Sequence, residues 1–232
     1  MILGIVQARM GSTRLPGKAM RKVAGIPLVE LVLARALRSK LMDKVVISTT
    51  GHNHDMAIKA DFREPLPRDP LGGFYHCAAN FGADIVVRIT ADDPLKDPAL
   101  IDEAISHMLQ KPGLEYCGNT INPTFPWGLD VEVIRFKTLE WLHENVRQDI
   151  YREHVTYYII EHPQEFKVHN IEYTENLHDW EWSIDTAENL AWFNRLYKES
   201  GFDPVTVGYE EVIQYVKARG QRGKVRTGGV VA

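Results

Sequence analysis

The chain begins with a short apolar run, Ile2–Val6, that passes without a linker into a glycine-bearing basic loop ending at Lys18. A short apolar run of this kind is typical of a buried strand. The loop carries two arginines, a lysine and two hydroxyl side chains. Arginine binds phosphate oxygens bidentately and lysine binds them as a point charge. We therefore predict a buried strand that opens into a triphosphate-binding loop.

The residues after this loop predict a βαβ unit. An apolar face at helical spacing predicts a helix over 29–37, and the β-branched segment Lys44–Thr50 predicts a buried parallel strand. Residues 84–90 have the same character and lead into Asp92 and Asp93. Ligands in open α/β sheets bind at the carboxyl ends of the strands. We therefore expect both aspartates on the same rim as the basic loop.

Periodicity and capping signals predict the remaining elements. Helices are expected over 71–81, 99–109, 137–145, 149–161 and 209–218, and strands over 114–117, 128–136 and 166–171. Another strand should turn into a helix at Asp185, with Thr186 as the N-cap and Asn189 three residues later. We predict one domain over 1–218, with 120–165 as a substrate or dimerisation subregion, and a mobile basic tail over 219–232.

Composition limits the class of protein. With 232 residues, 44% of them hydrophobic and 25% charged, the chain has the profile of a soluble globular domain. A net charge of -4 argues against general nucleic-acid binding, so the basic loop suggests a small anionic ligand. Cys77 and Cys117 are the only cysteines, which favours a reducing, cytoplasmic setting. No apolar run reaches membrane-spanning length, so no membrane partner is expected.

Carboxylates recur at the predicted strand ends, at Asp92, at Asp130 with Glu132, and at Asp185. Magnesium is usually held by one or two carboxylates together with substrate phosphates. The combination with a phosphate-binding loop predicts Mg²⁺-assisted transfer at phosphorus. Structural roles stay open: Asp185 at a helix start, Asp130 and Glu132 on the wet face of a strand, and His154 packed within a helix.

Four stretches of the sequence resemble a known family. Gln-Ala-Arg-x-x-Ser-x-Arg-Leu-Pro-Gly-Lys at 7–18 looks like the nucleotide-binding signature of the cytidylyltransferases that make CMP-activated sugar acids. Arg-Ile-Thr-Ala-Asp-Asp-Pro-Leu at 88–95, Gly-Leu-Asp-Val-Glu-Val at 128–133, and Arg-Glu-His-Val-Thr at 152–156 together with 182–190 resemble the spore-coat polysaccharide biosynthesis protein F branch. They occur in family order and cover most of the chain.

The resemblance implies a nucleotide-diphospho-sugar-transferase-like α/β fold, which is Rossmann-like with a mixed, mostly parallel sheet flanked by helices. It implies CTP as the nucleotide, Mg²⁺ as the cofactor, and a sugar-acid hydroxyl that attacks the α-phosphorus and expels pyrophosphate, for surface or spore-coat polysaccharide. It also implies a homodimer, for which the apolar segment Phe125–Tyr158 is the candidate interface.

The resemblance assigns roles to particular positions. The nucleotide-binding residues are Gln7, Ala8, Arg9, Gly11, Ser12, Arg14 and Lys18. The catalytic residues are Arg9, Lys18, Asp92 and Asp185, and the two aspartates also hold the metal. The residues that face the sugar are Asp130, Glu132, Arg152 and His154.

Two alternatives stay open. A glycosyltransferase of related fold would take a ready-made nucleotide-sugar; its Asp-x-Asp motif is absent at Asp92-Asp93-Pro94, although Asp130-x-Glu132 keeps the possibility. A nucleotide-binding homologue without catalysis is suggested by a Thr50–Tyr75 segment shorter than the family's usual one and by Gly73, where this branch commonly has arginine.

Overall fold

The computed structural model describes residues 1–64 and 69–220, and the backbone of 224–225. Its strands are β1 Ile2–Gln7, β2 Lys22–Val23, β3 Ile26–Pro27, β4 Lys44–Thr50, β5 Phe62–Glu64, β6 Ile85–Thr90, β7 Tyr116–Gly118, β8 Glu132–Arg135, β9 Val168–Asn170, β10 Trp180–Glu181 and β11 Lys224–Val225. Its helices are α1 Leu28–Ala36, α2 Pro70–Phe81, α3 Pro98–Gln110, α4 Phe136–Asn145, α5 Asp149–Glu153, α6 Tyr157–Glu161, α7 Ala187–Ser200 and α8 Tyr209–Arg219. Short 3-10 turns cover Lys18–Met20, Asn53–Ala57 and Pro163–Glu165.

A seven-stranded sheet in the order β5-β4-β1-β6-β8-β7-β9 forms the centre of the fold. The first strand pairs in parallel with β4 and β6, whereas β8 is antiparallel to both of its neighbours. Side chains alternate across the sheet, because Leu3 and Ile5 pack into one apolar cluster with α2 and α4 while Val6 packs into another with α1 and α3. The predicted fold class, a mixed and mostly parallel sheet flanked by helices, is confirmed.

Strand register brings two predicted loops to one rim. Gln7, the last residue of β1, lies opposite Thr90, the last residue of β6. The Ala91 N–H then donates to the Gln7 carbonyl at 3.1 Å, so the two chains stay paired one step beyond the strands. The basic loop and the Asp92-Asp93 pair therefore start from adjacent, fixed positions.

Side-chain caps stabilise the starts of two predicted helices, including the cap predicted at Thr186. The Asp97 side chain accepts hydrogen bonds from the N–H groups of Ala99 and Leu100 at the start of α3. Thr186 and Asn189 form a reciprocal capping box at the start of α7. These short polar side chains satisfy helix N–H groups that have no partner within the helix, which is why both helices begin where the sequence predicts.

The predicted helix over 149–161 is wrong, because the chain breaks between α5 and α6. Val155 adopts a positive φ of 25°, which a β-branched residue rarely does. The adjacent Thr156 is buried and donates its hydroxyl hydrogen bond to the Glu132 carboxylate in the sheet. This buried contact outweighs local helix propensity.

The strand predicted over 128–136 begins only at Glu132. Gly128 has a φ of 100°, and a Cβ there would lie 2.7 Å from the Ser183 backbone nitrogen. Only glycine fits this close approach. The chain therefore turns at Gly128, and the paired strand begins later, at Glu132.

Arg219, where the predicted tail over 219–232 begins, still belongs to α8, and Gly220 caps that helix. Lys224–Val225 pair with Trp180–Glu181 in an antiparallel bridge, and the rest of the predicted mobile segment lies outside the described residues. In the part of the chain that the structure describes, no helix has both the length and the apolar character needed to cross a bilayer.

Arg35 fastens α1 to the segments that support the rim. This arginine is 0% exposed. Its guanidinium donates to the carbonyls of Lys96 at 2.9 Å, Pro204 at 2.8 Å and Val207 at 2.9 Å. Because these carbonyls come from chain segments far apart in sequence, one side chain joins the residues after Asp93 to the loop before α8.

We predict that Arg35→Met lowers the free energy of unfolding by roughly 3–5 kcal/mol, because it leaves buried carbonyls without a donor. Urea unfolding followed by circular dichroism measures the change. Arg38→Met is the matched control, since the exposed Arg38 also donates to carbonyls, those of Val205 and Thr206. Its loss should stay near or below about 1 kcal/mol. Equal losses in the two variants would contradict the role given to Arg35.

Candidate active site

A cavity of about 1040 Å³ opens at the carboxyl ends of β1 and β6. Most of the predicted site residues line it: Gln7, Arg9, Gly11, Ser12, Arg14, Lys18, Asp92, Asp130, Glu132, His154 and Asp185. The predicted residues outside this lining are Ala8 and Arg152. Ala8 is buried, and its N–H donates to the Ser48 carbonyl at 3.0 Å, which extends the pairing of β1 with β4.

Lys18 joins the predicted catalytic carboxylates at the centre of the cavity. Its ammonium lies 2.7 Å from Oδ2 of Asp92 and 2.9 Å from Oδ1 of Asp185. The other oxygen of Asp185 lies 3.0 Å from Nη2 of Arg14. Groups from three separate stretches of sequence thus form one continuous charged cluster.

The cluster favours the charged forms of Lys18 and Asp92. Burial favours neutral Lys18, but Asp92 and Asp185 outweigh it and raise the pKa of the ammonium. Burial likewise opposes ionisation of Asp92, yet the nearby Lys18 lowers the pKa of that carboxyl below its ordinary value. Negative and positive groups are therefore both available at neutral pH to bind a phosphate and a cation.

Asp93 and Lys96 form a buried ion pair next to this cluster. The sequence motifs did not identify them as a pair. Lys96 is buried and donates to the Asp93 carboxylate at 2.9 Å and to the backbone carbonyl of Asp130. Burial and the charge of Asp92 outweigh Lys96 and raise the pKa of Asp93. The i, i+3 spacing of Asp93 and Lys96 in the sequence could have indicated this ion pair. Lys96 thus ties Asp93, the second residue of the Asp92-Asp93 pair, to the Gly128–Val133 segment.

Asp130 is differently placed from its acidic neighbours. Its carboxylate lines the cavity and receives no hydrogen bond or ion pair within the described ranges 1–64 and 69–220. Burial and the charge of Asp93, opposed by Lys96, raise the pKa of Asp130 to about 7. A carboxyl group with this pKa can accept and release a proton near neutral pH.

Glu132 is tied to an internal cation. Arg88, Thr156 and Tyr116 all donate to its buried carboxylate, Tyr116 at 3.3 Å. Burial opposes ionisation, but Arg88 lowers the pKa of Glu132. Arg88 and Glu132 therefore form the wall of the cavity as a neutralised pair. Arg88 begins one of the family stretches. It lies two residues before Thr90 and so on the same face of the strand, and this position could have indicated that Arg88 faces the cavity.

Arg152 lies apart from the cavity. Its Nε donates to Oδ1 of Asp69 at 2.9 Å, and its Nη1 donates to the Val146 carbonyl at 2.9 Å. Asp69 in turn caps α2 by accepting from the Gly72 N–H at 3.1 Å. In this structure Arg152 holds α5 against α2, so it is not brought together with the other residues predicted to face the sugar.

The next residue along, Glu153, does reach the cavity. Its carboxylate accepts from Nη2 of Arg9 at 2.8 Å, and both side chains are partly exposed. The sequence motif Arg-Glu-His-Val-Thr contains Glu153, but nothing in the spacing distinguished it from its neighbours. The Arg9–Glu153 pair thus joins the end of α5 to the basic loop, and His154 also lines the cavity.

Asp92 and Asp185 suit Mg²⁺ by the chemistry of their donor atoms. Both carboxylates contact the same ammonium, so they are close enough to share a small cation. No group of three or more His, Cys, Asp or Glu side chains that could hold a metal occurs among the described residues. Magnesium commonly takes one or two carboxylates and completes its shell with water and substrate phosphates. The residues present therefore fit a metal bound jointly by protein and nucleotide.

Comparisons with known proteins agree with this geometry. The chain is 31% identical over 227 residues to the spore coat polysaccharide biosynthesis protein SpsF of Bacillus subtilis, covering 88% of this chain and 89% of that protein. It is 36% identical over 118 residues to the 3-deoxy-manno-octulosonate cytidylyltransferase of Geobacter sulfurreducens, covering 49% and 47% of the two chains. The structure of a cytidylyltransferase from Leptospira borgpetersenii superposes with a TM-score of 0.90 at 27% identity, covering 99% of each chain.

A family model matches most of the chain as well. It is the model of the cytidylyltransferases, and the match runs over residues 3–212. This range includes the basic loop, Asp92, Asp185 and the Asp130–Glu132 segment. The chain therefore belongs to the cytidylyltransferase family.

Proposed function

We propose that this protein transfers CMP from CTP to a hydroxyl group of a sugar acid and releases pyrophosphate, in the synthesis of a surface polysaccharide. The observation that carries the proposal is the Lys18 ammonium held between Asp92 and Asp185 beside Arg14. The names of the Geobacter and Bacillus relatives suggest the acceptor and the pathway.

The reaction forms one bond and breaks one. The acceptor oxygen bonds to the α-phosphorus, the bond from that phosphorus to the oxygen bridging to the β-phosphorus breaks, and pyrophosphate leaves with the electron pair. The proton of the attacking hydroxyl passes to the carboxylate of Asp130, which lines the cavity. Such displacements depend mainly on positioning and on neutralisation of charge.

The basic loop supplies the neutralisation. Arg9, Arg14 and Lys18 are paired with Glu153, Asp185 and Asp92 before nucleotide binds. A triphosphate offers these cations stronger acceptors, so each can turn from its carboxylate to phosphate oxygens. Asp92 and Asp185, once released, would hold Mg²⁺, which when bound neutralises phosphate charge and orients the reacting oxygens.

The proposal is tested first by nucleotide binding. A thermal-shift panel of nucleoside triphosphates, with and without magnesium, should show the largest rise in melting temperature for CTP with magnesium, because ligands of the native state stabilise it by mass action. Pyrophosphate release from CTP is then measured across a panel of sugar acids. Release from no triphosphate with any of these acceptors would contradict the proposed function.

Removal of the metal-side carboxylates gives a sharper test. Asp92→Asn and Asp185→Asn should each lower the rate of pyrophosphate release roughly 100-fold or more and abolish the magnesium-dependent part of the CTP thermal shift. Glu144→Gln, an exposed carboxylate on α4 outside the cavity, is the control and should match the wild type. A full magnesium-dependent shift in both aspartate variants would rule out their role as metal ligands.

The pH dependence tests the role of Asp130. Asp130 is faced by Asp93, Lys96, Glu132 and Arg88, and the balance of these charges with burial raises its pKa to about 7. The base must be deprotonated to work, so kcat/KM should rise with pH through about 7. Asp130→Asn should remove this limb and lower kcat by roughly 100-fold or more. An unchanged pH profile in the variant would show that another group accepts the proton.

We also propose a cytoplasmic homodimer. Trp141 is 41% exposed and Ile150 is 46% exposed in the segment named as the candidate interface, and Cys77 and Cys117 are buried free thiols. Light scattering should give a mass about twice the 26.4 kDa of one chain, and Trp141→Glu should shift it toward the monomer because it places a charge on the apolar contact. A monomeric wild type would rule the dimer out.

A further inference from the structure

The basic loop folds around the backbone of Met10. The Met10 carbonyl accepts the N–H of Ser12 at 2.9 Å and the N–H of Gly17 at 3.3 Å, so it closes the loop on itself. Gly17 then turns with a φ of 68° into the 3-10 turn that begins at Lys18. The Met10 backbone therefore helps to fix the positions of Gly17 and of Lys18, which follows it.

The Met10 N–H is held from outside the loop by Asp55. Oδ1 of Asp55 accepts this N–H at 2.7 Å, across 45 residues of sequence. Asp55 is 4% exposed, and its other oxygen accepts the hydroxyl hydrogen bond of Thr50. An ionised acceptor makes a stronger hydrogen bond than a neutral one, and burial shields it from competing water.

Asp55 lies in a turn that is held by side-chain hydrogen bonds. It lies in the 3-10 turn Asn53–Ala57, directly after β4. Arg63 donates to the carbonyls of Asp55 at 3.3 Å and Ile58 at 2.7 Å, and also to that of Thr50 at 3.4 Å. The polar segment after β4 therefore forms a fixed support for the loop.

The loop is open to solvent at the residue after Met10. Gly11 is exposed, and a Cβ placed there would meet no atom within 4 Å. Arg9 and Arg14, on either side, are both more than half exposed. A glycine-bearing loop without an anchor would sample many conformations, and the loss of that freedom on binding would weaken affinity for the ligand.

We propose that Asp55 is a positioning residue for nucleotide binding: its carboxylate holds the Met10 backbone and thereby presents Arg9, Arg14 and Lys18 to the triphosphate together. This inference rests on the proposed function, since it takes the loop to be the phosphate site. It gives the Thr50–Glu64 segment a task in nucleotide binding without direct contact with the phosphates.

The test compares two carboxylates of the same segment. Asp61 also accepts one backbone N–H, that of Ile47 at 2.8 Å, but it supports β4 and not the basic loop. Asp55→Ala and Asp61→Ala therefore remove similar contacts with different consequences. Affinity for CTP with magnesium is measured by calorimetry, and exchange of the Met10 amide hydrogen is measured by NMR.

We expect Asp55→Ala to bind CTP with magnesium roughly tenfold more weakly and to exchange the Met10 amide hydrogen faster. Asp61→Ala should keep wild-type affinity and Met10 protection even though its stability falls. Asp55→Asn should recover most of the affinity, because an amide oxygen can still accept the Met10 N–H. Rescue of this kind would not follow from a general loss of stability.

Each outcome decides the proposal. Wild-type affinity in Asp55→Ala overturns the positioning role, and unchanged Met10 exchange overturns the anchor. If Asp55→Ala does not fold, Asp55→Val removes the acceptor while filling more of the side chain's volume, and wild-type affinity with unchanged Met10 exchange in it overturns the proposal. A wild type that binds no nucleoside triphosphate removes the proposed function and with it the positioning role, while Met10 exchange still shows separately whether Asp55 anchors the loop.

Discussion

The contact on which the site depends is the ammonium of Lys18 between two carboxylates. Lys18 is separated by 74 residues from Asp92 and by 167 from Asp185. An ammonium this far buried would be costly without partners, and so would two neighbouring carboxylates without a cation. Each group therefore makes the burial of the others tolerable. The same pairing keeps the site assembled before a ligand binds. A ligand whose own charged groups bind more strongly can replace these internal ion pairs.

Backbone geometry, more than side-chain packing, brings these three groups together. Parallel pairing of β1 with β6 fixes the first two, and the Ile184 N–H donates to the Asp92 carbonyl at 2.8 Å, which draws the third stretch alongside. The Asn189 side chain then accepts from the N–H groups of Asp185 and Thr186 at 3.3 and 3.0 Å. A capping residue of α7 thus also holds the turn that carries the Asp185 carboxylate.

Local signals in the sequence were sufficient for two of these three groups. Lys18 and Asp92 follow β1 and β6, and the strand-end rule places both on one rim. Asp185 follows β10, which lies outside the seven-stranded sheet, so the rule does not explain its position. Arg152 could not be located in this way, since its partner Asp69 lies 83 residues earlier and no local pattern links them. The break between α5 and α6 was missed for the same reason, because Thr156 bonds to Glu132 in the sheet while the periodicity of its own segment is helical.

The acidic residues Asp93, Asp130 and Glu132, which line the cavity, differ in whether a cation neutralises them. Asp93 is bound by Lys96 and Glu132 by Arg88, so these two carboxylates contribute structure and little net charge. Asp130 stands between them in sequence and space, and in the described chain it lacks such a partner. Its burial raises the free energy of its ionised form. In the proposed reaction, a substrate hydroxyl that donates to Asp130 would relieve this cost, so the charge arrangement that destabilises the free carboxylate would favour binding and deprotonation of the acceptor.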